Sequence, residues 1–186
     1  MSHIALVGSR KAPVRILTLA YQLAQEMAKR GLRMTSGGAP GMDHTWEMGY
    51  RSINRYLMTI FLPNKGFNGK KPDGECYFTV NESHLIVQAD EIIQDLHPYY
   101  DELEGFAYNA HIRNCFQILG KNLDTPADEV FLWAPPSGTS VTGGTRTAFE
   151  LAKQYNIQTW NLYYPETQDV LRKRFGLREP SLEFLM

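Results

Sequence analysis

Apolar residues recur along this chain with two different periods. Ile4-Ala5-Leu6-Val7 is a short unbroken apolar run that stops at Gly8-Ser9-Arg10, which predicts a buried strand followed by a turn. From Val14 the spacing changes. Leu17, Ala20, Tyr21, Ala24, Met27 and Ala28 share one helical face, and Gly31 stands where a helix C-cap glycine is expected. Leu32 to Thr35 predicts a second strand, and a helix beginning near Asp43 carries Trp46, Met48 and Tyr50. Tyr56 to Phe61 predicts a third strand, closed by Pro63.

Residues 63–76 are rich in Gly, Lys, Asn and Pro and predict a long solvated loop. Lys65, Lys70 and Lys71 within it suggest a segment that could approach an anion. Helices follow over about 82–95 and 101–120, separated at Leu96-His97-Pro98. Val130 to Ala134 predicts another strand, ended by Pro135-Pro136, and the loop Ser137 to Gly144 opens a helix running to about Tyr155. Thr159 to Leu162 gives a last strand, and a basic amphipathic helix near 168–175 follows.

Strands alternating with helices imply an α/β fold, a single Rossmann-like three-layer domain with a mostly parallel sheet and helices on both faces. Residues 1–165 form that domain on this reading, and 166–186 a C-terminal helix and tail packed on it. In such sheets ligands bind where loops leave the carboxyl ends of the strands.

Composition narrows the classes. The chain has 186 residues, 43% of them hydrophobic and 21% charged, which suits one globular domain and argues against disorder. Cys76 and Cys115 are too few for a disulfide scaffold and have no metal-ligand spacing, so neither a metal nor a cofactor is expected. No apolar run approaches the ~20 residues of a membrane span, and no basic segment precedes the first one. A cytoplasmic protein is expected.

The net charge of −1 weighs against a protein that coats nucleic acid. Its distribution is uneven. Residues 1–60 carry eight Lys/Arg against three Asp/Glu, whereas residues 61–140 carry five against twelve. The basic excess falls on the part that holds the first two glycine turns.

Three turns could carry chemistry. Gly8-Ser9-Arg10 combines a tight turn with a hydroxyl and a cation. Ser36-Gly37-Gly38-Ala39-Pro40-Gly41-Met42-Asp43 places three glycines before a helix, where uncovered amides and the dipole favour phosphate or carboxylate. Asp43 could cap that helix or accept from a sugar hydroxyl. Ser137-Gly138-Thr139-Ser140-Val141-Thr142-Gly143-Gly144-Thr145-Arg146-Thr147, small, hydroxyl-rich and glycine-rich between strand and helix, is the strongest phosphate cradle. None has the spacing of a Walker A loop or of a standard dinucleotide fingerprint.

In order, these turns resemble the nucleotide-binding superfamily that includes the DNA-processing protein DprA and the LOG phosphoribohydrolases. Val7-Gly8-Ser9-Arg10 resembles the opening DprA turn, and Ser36 to Asp43 resembles its Ser-Gly-x-Ala-x-Gly-x-Asp loop. His111-Ile112-Arg113-Asn114 is similar to both the Arg-Asn of DprA and the Met-His-x-Arg-Lys of LOG. Gly143 to Glu150 is similar to the LOG pattern Pro-Gly-Gly-x-Gly-Thr-x-x-Glu. The middle segment, through Gln117-Ile118-Leu119-Gly120, is most similar to small DprA-like proteins, often encoded by phages or prophages.

The resemblance implies a nucleotide or nucleotide-derived phosphate ligand at the carboxyl edge. Ligand contacts carry over to the three turns and Asn114. Arg113 and Glu150 carry over as the pair that would cleave the base–ribose bond of a nucleoside 5′-monophosphate. The sequence departs from LOG at Thr142, at Arg146 and at Asn114, where LOG has proline, glycine and lysine. The alternatives are a non-catalytic nucleotide sensor or a DprA-like accessory that binds single-stranded DNA, the latter disfavoured by the net charge. A homodimer is also implied, and the apolar tail Phe184-Leu185-Met186 could dock on a neighbour.

Overall fold

The computed structural model describes residues 3–178; the tail at 184–186 lies outside them. Eight strands and six α-helices follow one another as β1 (His3–Leu6), α1 (Val14–Lys29), β2 (Arg33–Ser36), α2 (Met42–Arg51), β3 (Met58–Leu62), β4 (Tyr77–Thr79), α3 (Ile86–Leu96), α4 (Gly105–Leu119), β5 (Glu129–Leu132), β6 (Pro136–Ser137), β7 (Ser140–Val141), α5 (Arg146–Gln154), β8 (Gln158–Asn161) and α6 (Pro165–Phe175). Six of the strands form one sheet in the order β4-β3-β2-β1-β5-β8, with every neighbouring pair parallel.

The short apolar runs become strands because both faces of the sheet are covered. Side chains alternate across a strand. Ile4 and Leu6 of β1, Ile60 and Leu62 of β3 and Phe131 of β5 face the core built with α1, α2 and α6. Ala5, Phe61, Val130 and Leu132 face the opposite core, built with α3, α4 and α5. This is the three-layer α/β fold that the alternation of periods implies.

Two elements differ from the sequence expectation. Tyr77–Thr79 pairs with β3 as an edge strand, and Pro136–Ser137 with Ser140–Val141 forms a small antiparallel hairpin. Both are too short to show a period. The loop over 63–76 also departs from a freely solvated segment. Lys70 is largely buried and lies 3.4 Å from the buried carboxylate of Glu47, and Asn68 donates to the Gly38 carbonyl at 3.1 Å. Asn109 of α4 donates to Asn64 at 2.8 Å, so both flanking helices hold the loop.

After β1 the chain turns to one side of the sheet, toward β2, while β5 lies on the other. Their loops diverge and leave a crevice, the switch point at which doubly wound sheets bind ligands.

Candidate functional site at the switch point

A cleft of about 710 Å³ opens at this switch point. The turn after β1 forms one wall with Gly8, Ser9, Arg10 and Lys11. That turn is held by backbone bonds from Val7 N to Phe131 O at 3.0 Å and from Ser9 N to Trp133 O at 2.9 Å. The indole of Trp46 adds a bond to Val7 O at 3.2 Å. Arg10 and Lys11 project into solvent at the mouth. Thr142, Gly143, Gly144 and Thr145 form the opposite wall. Gly143–Thr145 is a 3-10 turn leading into α5, so the helix N-terminus, with its exposed amides and positive dipole end, borders the cleft.

The floor comes from α4. Ala110, Arg113, Asn114 and Gln117 recur at helical spacing on the face that looks into the cleft. Arg113 is buried, and its donors are largely occupied by the protein itself. Nη1 donates to Gly37 O at 2.7 Å and lies 3.5 Å from Asp43 Oδ2, while Nη2 donates to Asn114 Oδ1 at 3.2 Å. Asn114 in turn donates to Gly144 O at 2.7 Å. One guanidinium and one amide therefore tie the second glycine turn, α4 and the third glycine turn into a single frame.

Asp43 sits in the first turn of α2, buried, with Oδ1 lacking any partner among the described residues. Burial pushes its pKa up to about 6, against the opposing pull of Arg113. The amide of Gln117 is likewise buried without a partner, although the residue lines the cleft. Buried polar groups normally find partners, so these atoms are unmet polar groups packed beneath the cleft floor, closed to solvent. Phe67, from the loop over 63–76, and Phe106, at the start of α4, pair with ring centroids 5.4 Å apart and complete the lining.

Of the residues expected at the site, Gly8, Ser9, Arg10, Asp43, Arg113, Asn114, Gly143, Gly144 and Thr145 line the cleft. The others do not. Ser36, Gly37 and Gly38 are buried beneath it. Gly37 leaves room for the Arg113 guanidinium, and Gly41, at φ +80°, lets the backbone of Arg10 pass where a Cβ would stand 2.7 Å from its Cα. Their glycines serve packing of the frame rather than exposure of amides. Thr147 is buried and shares a 2.8 Å hydrogen bond with His111 Nδ1. Arg146 lies outside the cleft, where its charge adds to the burial that lowers the pKa of His97. Glu150 also stands outside, ion-paired with Lys153 at 3.2 Å.

Sequence reasoning missed Lys11, Phe67, Phe106 and Gln117. Gln117 was within reach, since it lies one helical turn beyond Arg113 on the same face. Phe67 was not, because only the tertiary ties of its loop bring it to the cleft.

No helix among the described residues is long and apolar enough to cross a membrane. No group of three or more His, Cys, Asp and Glu among them could hold a metal ion.

No curated protein sequence matches the chain. A solved structure of DNA processing protein A from Helicobacter pylori, described for its single-stranded DNA binding mode, aligns with 96% of this chain and 82% of its own at 15% identity and a TM-score of 0.41. The sequence profile of DNA recombination-mediator protein A matches residues 1–96, a stretch that contains β1 to α3 and the first two glycine turns. The chain belongs to the DNA recombination-mediator protein A family.

Proposed function

We propose that the switch-point cleft binds single-stranded DNA, and that the protein acts as a strand-binding accessory in recombination. The observation that carries this reading is the pairing of two chemistries at one mouth. Arg10 and Lys11 stand exposed on one wall, and the Phe67–Phe106 ring pair lines the same cleft. Cations neutralise the phosphodiester backbone, and aromatic rings accept unstacked bases without regard to sequence. Family membership supports the same partner.

The net charge of −1 points the other way only because it averages over the whole surface. Of all the carboxylates in the described residues, Asp43 alone lines the cleft, against Arg10, Lys11 and Arg113. A local field, rather than the total, sets attraction for an anion at close range.

A mononucleotide is the second reading, favoured by a cleft volume of about 710 Å³, which falls in the range of small-molecule pockets. Hydrolysis of its base–ribose bond draws no support from the site, since Glu150 is ion-paired outside the cleft. Fluorescence anisotropy separates the two readings. A labelled oligothymidylate should bind with an affinity that falls steeply with salt, nucleoside monophosphates should compete only weakly, and no free base should be released. Tight mononucleotide binding without oligonucleotide binding would overturn the first reading.

A further inference from the structure

A second aromatic group stands on the same carboxyl edge, beyond the cleft. Trp133 follows β5, and Tyr163 and Tyr164 follow β8, its neighbour in the sheet. The ring centroids of Trp133 and Tyr163 are 6.1 Å apart, and those of Tyr163 and Tyr164 are 5.5 Å apart at 82°. Trp133 is the buried foot of this ladder, whereas Tyr163 and Tyr164 are 42% and 43% exposed.

The ladder is held firmly. Asn161, the buried last residue of β8, donates Nδ2 to Ala134 O at 2.8 Å. Its Oδ1 accepts from Ala134 N at 3.2 Å and from Tyr163 N at 3.1 Å. One side chain thus locks the loop after β5 to the turn that carries the tyrosines. Trp133 O also accepts from Ser9 N at 2.9 Å, which joins the foot of the ladder to the turn bearing Arg10 and Lys11.

Rigid, solvent-facing rings beside cations are the surface that single-stranded nucleic acid uses, because every base presents a π-face and every phosphate needs a counter-charge. Arg10 and Lys11 form no ion pair among the described residues. That charge favours a polyanion here over a second copy of the chain, which would bring the same cations into the interface.

We propose that Tyr163 and Tyr164 form a second base-stacking platform, so that single-stranded DNA held at the cleft continues past Arg10 and Lys11 to the end of β8. This rests on the DNA-binding reading of the cleft. From β3, which precedes Phe67, to β8 the sheet spans four strand spacings, ~19 Å, enough for several nucleotides of extended strand.

The test compares oligothymidylates of about 2 nucleotides, too short to reach from the cleft to β8, and about 16 nucleotides on the full chain, with Tyr163→Ala, Tyr164→Ala and Tyr163→Phe variants. Each alanine variant should weaken the longer strand about tenfold and leave the shorter one unchanged, and the phenylalanine variant should retain wild-type binding. If both lengths bind and the alanine variants match wild type, the platform is overturned and the cleft reading survives. If neither length binds, both fall. If the alanine variants instead dissociate an oligomer in sedimentation and bind DNA normally, the tyrosines are a self-association surface and the platform is likewise overturned.

Discussion

The guanidinium of Arg113 occupies the volume that a side chain at residue 37 would need, and it donates to the carbonyl of that same Gly37 at 2.7 Å. A Cβ at this position would press directly on Nη1. Gly37→Ala should therefore destabilise the protein by about 1–3 kcal/mol, as measured by urea unfolding. The cost should shrink when Arg113→Met is already present, because the obstructing group is gone. Gly41→Ala behaves differently. Its Cβ would meet the backbone of Arg10 at φ +80°, so its penalty should be the same in either background. Equal penalties for Gly37→Ala with and without Arg113 would refute the arrangement.

Asp43 links the site to pH. Burial raises its pKa to about 6, so near neutral pH it is ionised and offsets the positive charge of Arg113. As pH falls through about 6 the carboxyl takes up a proton and the cleft floor becomes more positive. Oligonucleotide affinity should rise over that interval. Asp43→Asn should bind more tightly at neutral pH and lose most of the dependence. The same titration acts on stability: the native carboxyl holds its proton up to about 6 and the unfolded one only to about 3.8, so this contribution is present at low pH and lost as pH rises through 6.

His111 works in the opposite sense within the same interval. Burial first, then the neighbouring His97 and Arg113, bring its pKa down from 6.5 to about 4. The unfolded chain binds this proton near 6.5 and the folded chain resists it. Stability from neutral His111 is thus present above about 6.5 and lost as pH falls toward 4, on the order of 2–3 kcal/mol at most. His111→Gln, which keeps a polar group beside Thr147, should lose less stability than wild type between those two pH values. Identical pH profiles in denaturant unfolding would count against the buried neutral imidazole.

The loop over 63–76 gives a prediction about positioning. Glu47 is buried, accepts from the Tyr77 hydroxyl at 2.7 Å and faces Lys70 at 3.4 Å. Lys70→Met leaves that carboxylate without its most buried cation and releases the tie on the segment that carries Phe67. Stability should drop by about 1–3 kcal/mol, and oligonucleotide affinity should fall with it. Adding Glu47→Gln should restore part of the stability.

The layers of the fold were legible because β1, α1 and the glycine turns each agree in period and punctuation. Tyr77–Thr79 escaped notice because three residues on a sheet edge show no alternation. The site was legible in part. The motif His111-Ile112-Arg113-Asn114 lies on α4, whose Arg113 and Asn114 line the cleft, yet nothing local shows that Arg113 spends a donor on Gly37, 76 residues earlier. Glu150 matched a catalytic pattern in sequence, but its neighbour Lys153, one helical turn on, takes the carboxylate. The glycines at 37 and 41 looked like an amide cradle and serve instead to let Arg113 and Arg10 pass close by. Such roles depend on contacts between distant segments, which a pattern along the chain does not encode.

Photo-crosslinking with a single-stranded oligonucleotide that carries halogenated uracil, followed by peptide mass spectrometry, tests the central claim most directly. Cross-links on the peptides containing Phe67 and Phe106, abolished in a Phe67→Ala, Phe106→Ala double variant, are the expected result. Cross-links confined to α1, on the opposite face of the sheet and away from the cleft lining, would contradict it.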